Sequence, residues 1–337
     1  MITGGLGLIG SALASKLQRD GLTCDLYDIA GDVATVGDVC DRSQIVERAK
    51  GCTGIVHLAA VSRVVWAQAD PGLCWKVNVE GTQNVLAAAM GLPPGERPWV
   101  LYASSREVYG EAVHLPVAED SPLAPLNPYG HSKVEAERLT SSARQEGLVT
   151  GIARFSNVYG SVHDHADRVI PAFARAAALG GRLMVEGPGN VFDFTHVDDV
   201  IEGIVSYCEL LQEKRDCPPI HFVSGEPTTL GQLAEMASAL GNRRTEIQFL
   251  APRNFDVAKF YGNPERARSL LGWQAETPLP EGLKALVQAF AMRPSARQIL
   301  QPQPGEPTAH ARQPRQTQPT MIPVDNRGRV VPDRDVT

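Results

Sequence analysis

Met1-Ile2-Thr3-Gly4-Gly5-Leu6-Gly7-Leu8-Ile9-Gly10 opens the chain, and its glycine spacing decides how the rest reads. Gly5-x-Gly7-x-x-Gly10 fits a dinucleotide-binding fingerprint, and Thr3-Gly4-x-x-Gly7-x-x-Gly10 fits a variant of it. Glycines let the backbone approach a pyrophosphate, whose charge then rests at the N-terminus of a helix running through residues 11–17. About twenty residues on, Cys24-Asp25-Leu26-Tyr27-Asp28 reads as a short strand ending in an acid. A carboxylate there hydrogen-bonds ribose hydroxyls and repels a 2′-phosphate, so Asp28 predicts NAD rather than NADP. Such a fingerprint should follow a buried strand of roughly five residues. Only Met1 and Ile2 precede Thr3, and the natural protein is therefore expected to begin several residues upstream.

Strand and helix signals alternate from there. Residues 54–60 are a short apolar run suited to a strand buried on both faces. Residues 77–90 have helical periodicity, 99–104 read as the next strand, 129–146 as a helix and 151–155 as a strand. This order predicts an α/β fold, a doubly wound parallel sheet of Rossmann type with right-handed crossovers. Beyond Arg154 the rhythm shortens, with helices at 170–179, 197–211, 230–240 and 280–290 and a strand at 220–223. The expected organisation is a dinucleotide-binding domain over 1–155, interleaved with part of 192–225, and a smaller substrate-binding α/β lobe over 156–293. Residues 294–337 are rich in Pro and Gln with almost no apolar periodicity, and read as a disordered tail. His57, at a strand end among small residues, reads as structural.

The 337 residues can bury a large core, and 43% hydrophobic with 21% charged residues is a globular composition. A net charge of -6 argues against a nucleic-acid or anionic-membrane partner. Cys24, Cys40, Cys52, Cys74, Cys208 and Cys217 are scattered, with neither a disulfide framework nor zinc spacing. With no apolar run of membrane-spanning length, these features together read as cytoplasmic. His163-Asp164-His165 with Asp167 is too unevenly spaced to predict a metal site, and none is expected.

Asn127-Pro128 is a helix start: Asn127 caps, and Pro128 suits the first turn. Tyr129 and Lys133, four apart, then share one face of the helix. A positive charge about 4 Å from a phenol favours phenolate by about 4 kcal/mol at an effective dielectric of ~20, lowering a pKa of ~10 by about three. Tyr129 would then be a base near neutrality. Ser105 lies at the carboxyl end of the strand through Leu101, where doubly wound sheets place their sites, and its hydroxyl can bond a substrate oxygen alternating between alcohol and carbonyl.

Together these motifs resemble the extended short-chain dehydrogenase/reductases, in particular the NAD-dependent nucleotide-sugar epimerases and dehydratases. The resemblance covers about residues 1–290. It rests on the glycine motif, Asp28, Gly37-Asp38, His57-Leu58-Ala59-Ala60, Asn78-x-x-Gly81-Thr82, Ser104-Ser105-x-x-Val108-Tyr109-Gly110 and Tyr129-x-x-x-Lys133. Arg154-Phe155-Ser156-Asn157-Val158-Tyr159-Gly160 and Val197-Asp198-Asp199-Val200 extend it. It implies NAD contacts at Gly4, Gly7, Leu8, Ile9, Gly10, Asp28, Val39, Leu58, Ala59 and Ala60, with Asp38 facing the adenine and Lys133 the nicotinamide ribose. Tyr129 matches the catalytic base and Ser105 its partner. Asn157 and Arg253 match residues near the diphosphate of a nucleotide-diphosphate sugar. The family's homodimer, built from the helices at 77–90 and 129–146, is implied as well.

The chain departs from the pattern at Phe192, where the family usually has an arginine before Asp193-Phe194. Arg182 or a histidine would have to substitute, or the leaving group differs from pyrophosphate. Glu107 matches a carboxylate kept by dehydratases and decarboxylases, but Arg106 replaces the Asp that often precedes it, and an arginine cannot serve as the acid. That disfavours 4,6-dehydration. The expected activity is C4 epimerisation of a nucleotide sugar through a transient 4-keto sugar. A 4,6-dehydratase or UDP-glucuronate decarboxylase, or a reductase of a small ketone or alcohol, are the alternatives. Phe260 falls where epimerases carry a gatekeeper, and its bulk suggests a sugar without an N-acetyl group.

Overall fold

Two residues, Ile2–Thr3, form β1, and they lie between neighbouring strands rather than at an edge. The computed structural model describes residues 1–215, 217–241 and 245–292; the tail expected at 294–337 lies outside the described residues. After β1 come α1 (Leu8–Arg19), β2 (Leu26–Tyr27), α2 (Arg42–Ala49), β3 (Gly54–His57), α3 (Val64–Ala69), α4 (Pro71–Trp75) and α5 (Gly81–Met90). β4 (Trp99–Ser105), α6 (Pro128–Gln145) and β5 (Thr150–Phe155) follow. Then come β6 (Asn157–Tyr159), α7 (Val169–Leu179), β7 (Gly181–Glu186), β8 (Val191–Phe192), β9 (Phe194–His196), α8 (Val197–Gln212) and β10 (Ile220–Phe222). β11 (Thr228–Thr229), α9 (Leu230–Leu240), β12 (Thr245–Leu250), α10 (Glu265–Leu271) and α11 (Leu279–Met292) complete the described elements.

The main sheet has the order β10-β5-β4-β3-β1-β2, every neighbouring pair parallel. Every residue of β3 and β5 is buried, as expected for strands covered on both faces. One face is packed by α1 and α8 around Leu13, Val56, Leu101, Ile201 and Ile204, the other by α2, α5 and α6 around Ile45, Ile55, Val85 and Leu86. The order of crossovers reverses between β1 and β3, so the crevice at their carboxyl ends is the topological switch point. A separate core, including Phe173, Leu183, Leu233, Leu286 and Phe290, gathers α7, α9 and α11 against the parallel pair β7–β12. β10 then returns to the main sheet beside β5.

The periodic helices appear within a residue or two of their predicted ends. The segment predicted as one helix over 77–90 is not uniform, because residues Lys76–Glu80 form a π-helical turn before α5. Within that turn Asn78 accepts from Val61 N at 2.8 Å and donates to Ser132 Oγ at 2.9 Å. It thereby ties the loop after β3 to the helix that carries Tyr129.

Candidate active site

The switch point is walled by close backbone packing. Gly4 has φ +67°, and a Cβ there would lie 2.7 Å from Ala59 N; a Cβ on Gly10 would lie 2.3 Å from Gly4 O. Only glycine fits at either position, and the turn brings the first N–H groups of α1, at Leu8 and Ile9, to the crevice. Gly7 is the residue preceding that helix. Thr3 holds the opposite wall, its carbonyl accepting from Leu58 N at 3.0 Å and its Oγ1 from Ala59 N at 3.3 Å, with Ala60 following. Asp28 closes the end of β2, with Oδ2 accepting from Leu6 N and Oδ1 from Ala30 N, each at 3.0 Å. Asp38 accepts from Cys40 N at 2.8 Å, and Val39 is buried against Gly81. A cradle that any Cβ would fill, beside a helix N-terminus and an acid, fits a pyrophosphate-linked dinucleotide.

His57 lies beneath this cradle, its Nδ1 2.6 Å from Thr3 Oγ1 and its Nε2 3.0 Å from Thr82 Oγ1. Burial, with the Lys133 charge acting in the same direction, pushes its pKa down to about 3. The unfolded histidine titrates near ~6.5, so between that pH and 3 unfolding takes up a proton and stability falls as the pH drops. From pH 6.5 to pH 5 the loss is about 2 kcal/mol. Urea unfolding of His57→Gln should therefore show a loss smaller by that amount over the interval; equal losses in both proteins would mean His57 does not set the slope.

The reacting groups meet where β4 ends against α6. Ser105 closes β4, opposite Phe155 of β5. Tyr129 is in the first turn of α6, whose cap Asn127 accepts from Gly130 N at 2.9 Å and donates to Glu107 Oε2 at 2.9 Å. Ser105 lies close enough to the Tyr129 phenol for its hydroxyl to pull the phenol's pKa down. Burial pushes it up to about 12, against the pull of the Ser105 hydroxyl; the Glu107 charge adds to the rise and Arg168 opposes it. The four-residue spacing suggests a Tyr129 pKa depressed by Lys133, but burial dominates and the phenol stays above its ordinary value. Lys133 Nζ donates to Ala103 O at 2.8 Å and stands 5.7 Å from the Tyr129 ring centre, and burial lowers the Lys133 pKa to about 8. Both residues stand on α6, and burial is the largest influence on the proton affinity of each.

Asn157 is fixed by Asp193, whose carbonyl accepts from both its backbone and its side-chain nitrogen at 3.2 Å. Arg253 is half-exposed and pairs with Asp256 at 2.7 Å and Glu186 at 3.4 Å. The carbonyl of Phe255, two residues on, reaches Asn127 Nδ2 at 3.3 Å, which joins this loop to the start of α6. Arg182, one expected substitute for the missing arginine, is engaged elsewhere. It is exposed and pairs with Glu246, whereas the cation over the Phe192 ring is Arg106, 4.6 Å from its centre. Phe260 has no exposed surface and stacks on Tyr109, so it is a core residue rather than a gatekeeper. Arg168, absent from the sequence-based candidates, acts on the Tyr129 phenol and pairs with the buried Asp164; Arg63 pairs with Asp167 nearby in sequence. The segment considered for metal binding is thus engaged with arginines, and only the fold brings those arginines to it.

Residues 1–220 match the NAD dependent epimerase/dehydratase family. The chain belongs to that family. Its relatives include UDP-glucuronic acid decarboxylase 1 of Danio rerio, 30% identical over 309 residues covering 86% of this chain and 72% of that protein. A UDP-glucose 4-epimerase of Rhizobium leguminosarum bv. trifolii is 26% identical over 314 residues, covering 85% and 95%. Among solved structures, MoeE5 in complex with UDP-glucuronic acid and NAD superposes with a TM-score of 0.77 at 28% identity, covering 85% of this chain and 97% of that one. The family and these relatives are NAD-dependent nucleotide-sugar epimerases, dehydratases and decarboxylases, and this chain is an NAD-dependent enzyme of that group.

Proposed function

We propose that the protein is a nucleotide-sugar C4 epimerase whose substrate is a nucleotide-diphosphate sugar. NAD, when bound, supplies the hydride acceptor and returns the hydride. The chain's own work is proton transfer and positioning. Tyr129 removes the proton of the C4 hydroxyl as that carbon becomes a ketone and gives it back afterwards; Ser105 hydrogen-bonds the same oxygen in both states. Lys133, fixed on Ala103 O and within reach of the same helix face, orients the cofactor ribose. Asn157 and Arg253 are assigned to the diphosphate, a task suited to a guanidinium fork.

The observation that carries epimerisation over 4,6-dehydration is the engagement of Glu107. One of its oxygens pairs with Arg106 and the other accepts from Asn127, each at 2.9 Å. A dehydratase needs an acid to expel the C6 hydroxyl and a base for the C5 proton. Here the carboxylate two residues after Ser105 has both oxygens occupied, and the preceding residue is a guanidinium that cannot donate as an acid. An epimerase needs only Tyr129, with room for the keto sugar to turn. Incubating the enzyme with NAD and UDP-glucose, UDP-glucuronate or dTDP-glucose and following proton NMR tests this. An inverted C4 signal is expected from at least one; only a 4-keto-6-deoxy product or only carbon dioxide release would replace the assignment.

A further inference from the structure

Arg106 takes no part in the proton transfer just described, yet its side chain is only 11% exposed beside the site. It directly follows Ser105, and its Nη2 pairs with Glu107 Oε1 at 2.9 Å. Its guanidinium lies over Phe192, 4.6 Å from the ring centre, with the Phe260 ring at 5.8 Å. These rings and Glu107 fix the plane of the cation. The remaining edge is different: Nη1 is buried and has no hydrogen-bond partner among the described residues. Buried donors almost always have an acceptor, and a permanent cation is the costliest to leave without one. The chemistry that would complete it is an oxyanion arriving with the substrate.

Two substrate oxyanions are conceivable, a diphosphate or a carboxylate on the sugar. Position favours the second. Ser105 addresses the reacting carbon, and the Glu107 carboxylate that Arg106 grips also accepts from Asn127, the cap of the helix that carries Tyr129 in its first turn. Arg106 is therefore beside the reacting carbon, where the neighbouring carbon's substituent lies; the diphosphate is attached across the ring. A planar fork held by one edge also matches a planar carboxylate on its other edge. A hydroxymethyl group would offer that edge a single neutral oxygen in place of a planar pair of charged ones.

We propose that Arg106 is a specificity-determining residue that receives a carboxylate on the sugar, so that the substrate is a nucleotide-linked uronate. This rests on the nucleotide-sugar reading above. The test is calorimetric titration of UDP, UDP-glucose and UDP-glucuronate into the NAD-loaded protein and into Arg106→Lys, which keeps a charge beside Glu107 but loses the fork. The wild type should bind UDP-glucuronate about tenfold or more tighter than UDP-glucose, and Arg106→Lys should lose about that factor for UDP-glucuronate alone. Equal wild-type affinities for the two sugars would overturn the proposal without recourse to any variant. So would an equal loss for all three ligands in Arg106→Lys, which would place the guanidinium on the diphosphate. If the NAD-loaded wild type binds none of the three, the nucleotide-sugar reading itself fails and this inference goes with it. If it binds the three ligands but holds UDP-glucose as tightly as UDP-glucuronate, only the inference fails.

Discussion

Tyr129→Phe should lower kcat by about a thousandfold while changing NAD affinity by less than about threefold. The substitution removes one hydroxyl and little else. The ring is buried with Ala67 and Cys74, contacts that phenylalanine keeps, and the groups that act on the hydroxyl are Ser105, Glu107 and Arg168 rather than residues of the glycine cradle. Dinucleotide binding should therefore survive, whereas the proton of the substrate hydroxyl would lose its acceptor. Burial holds the cofactor-free phenol up at about 12, with the Ser105 hydroxyl and the Arg168 charge working against burial. The basic form is thus scarce at neutral pH, and kcat/KM of the wild type should rise as the pH is raised through the neutral range. In Tyr129→Phe that rise should vanish along with the rate. Stopped-flow or NMR turnover assays, paired with fluorescence titration of NAD, measure both quantities. A variant retaining more than about a tenth of the wild-type kcat would remove Tyr129 from the reaction.

The same residue shows how far the sequence could be read. That Tyr129 and Lys133 share a helix face follows from spacing, and that Gly4 and Gly10 must be glycine follows from the turn they make. Both are local facts. The electrostatics are not local: Lys133 bonds a carbonyl thirty residues away in the chain, at Ala103, and the charge of Arg168, beyond β6, lowers the phenol's pKa. The helix periodicity located α7, α8, α9 and α11 because their apolar stripes meet a core. It missed α2, which has only Ile45 and Ala49 buried, and the strands β7 and β12, whose outward residues are exposed. The loss of an arginine at Phe192 was visible as a gap in a pattern. In the sequence its partner in space, Arg106, shows only as the loss of an acid, because nothing in the spacing places residue 106 over residue 192.

Arg154→Met should destabilise the fold by about 3–5 kcal/mol, and adding Glu137→Leu should recover most of that loss. Arg154 and Glu137 are both buried and meet as a two-point pair, Nε to Oε1 at 2.8 Å and Nη2 to Oε2 at 2.6 Å. The third nitrogen of the guanidinium donates to the Tyr109 hydroxyl at 2.6 Å and to Glu119 O at 2.7 Å. Ser104, the residue before the Ser105 hydroxyl, donates to the same Glu137 oxygen at 2.5 Å. Burial alone would lower the Arg154 pKa, but the hydrogen bonds and charge of Glu137 overcome it and raise the pKa. Removing only the arginine leaves a carboxylate without a counter-charge beneath β4, which is the expensive case. Removing both leaves no buried charge, only the neutral Ser104 and Tyr109 hydroxyls and the Glu119 carbonyl short of a partner, which costs less. Chemical denaturation of the two variants reads the difference directly, and a double variant no more stable than Arg154→Met would show that the loss lies in the Tyr109 and Glu119 bonds instead. Since Glu137 also holds Ser104, the double variant should regain stability without regaining full turnover: the strand end that presents Ser105 would have lost the bond that fixes it.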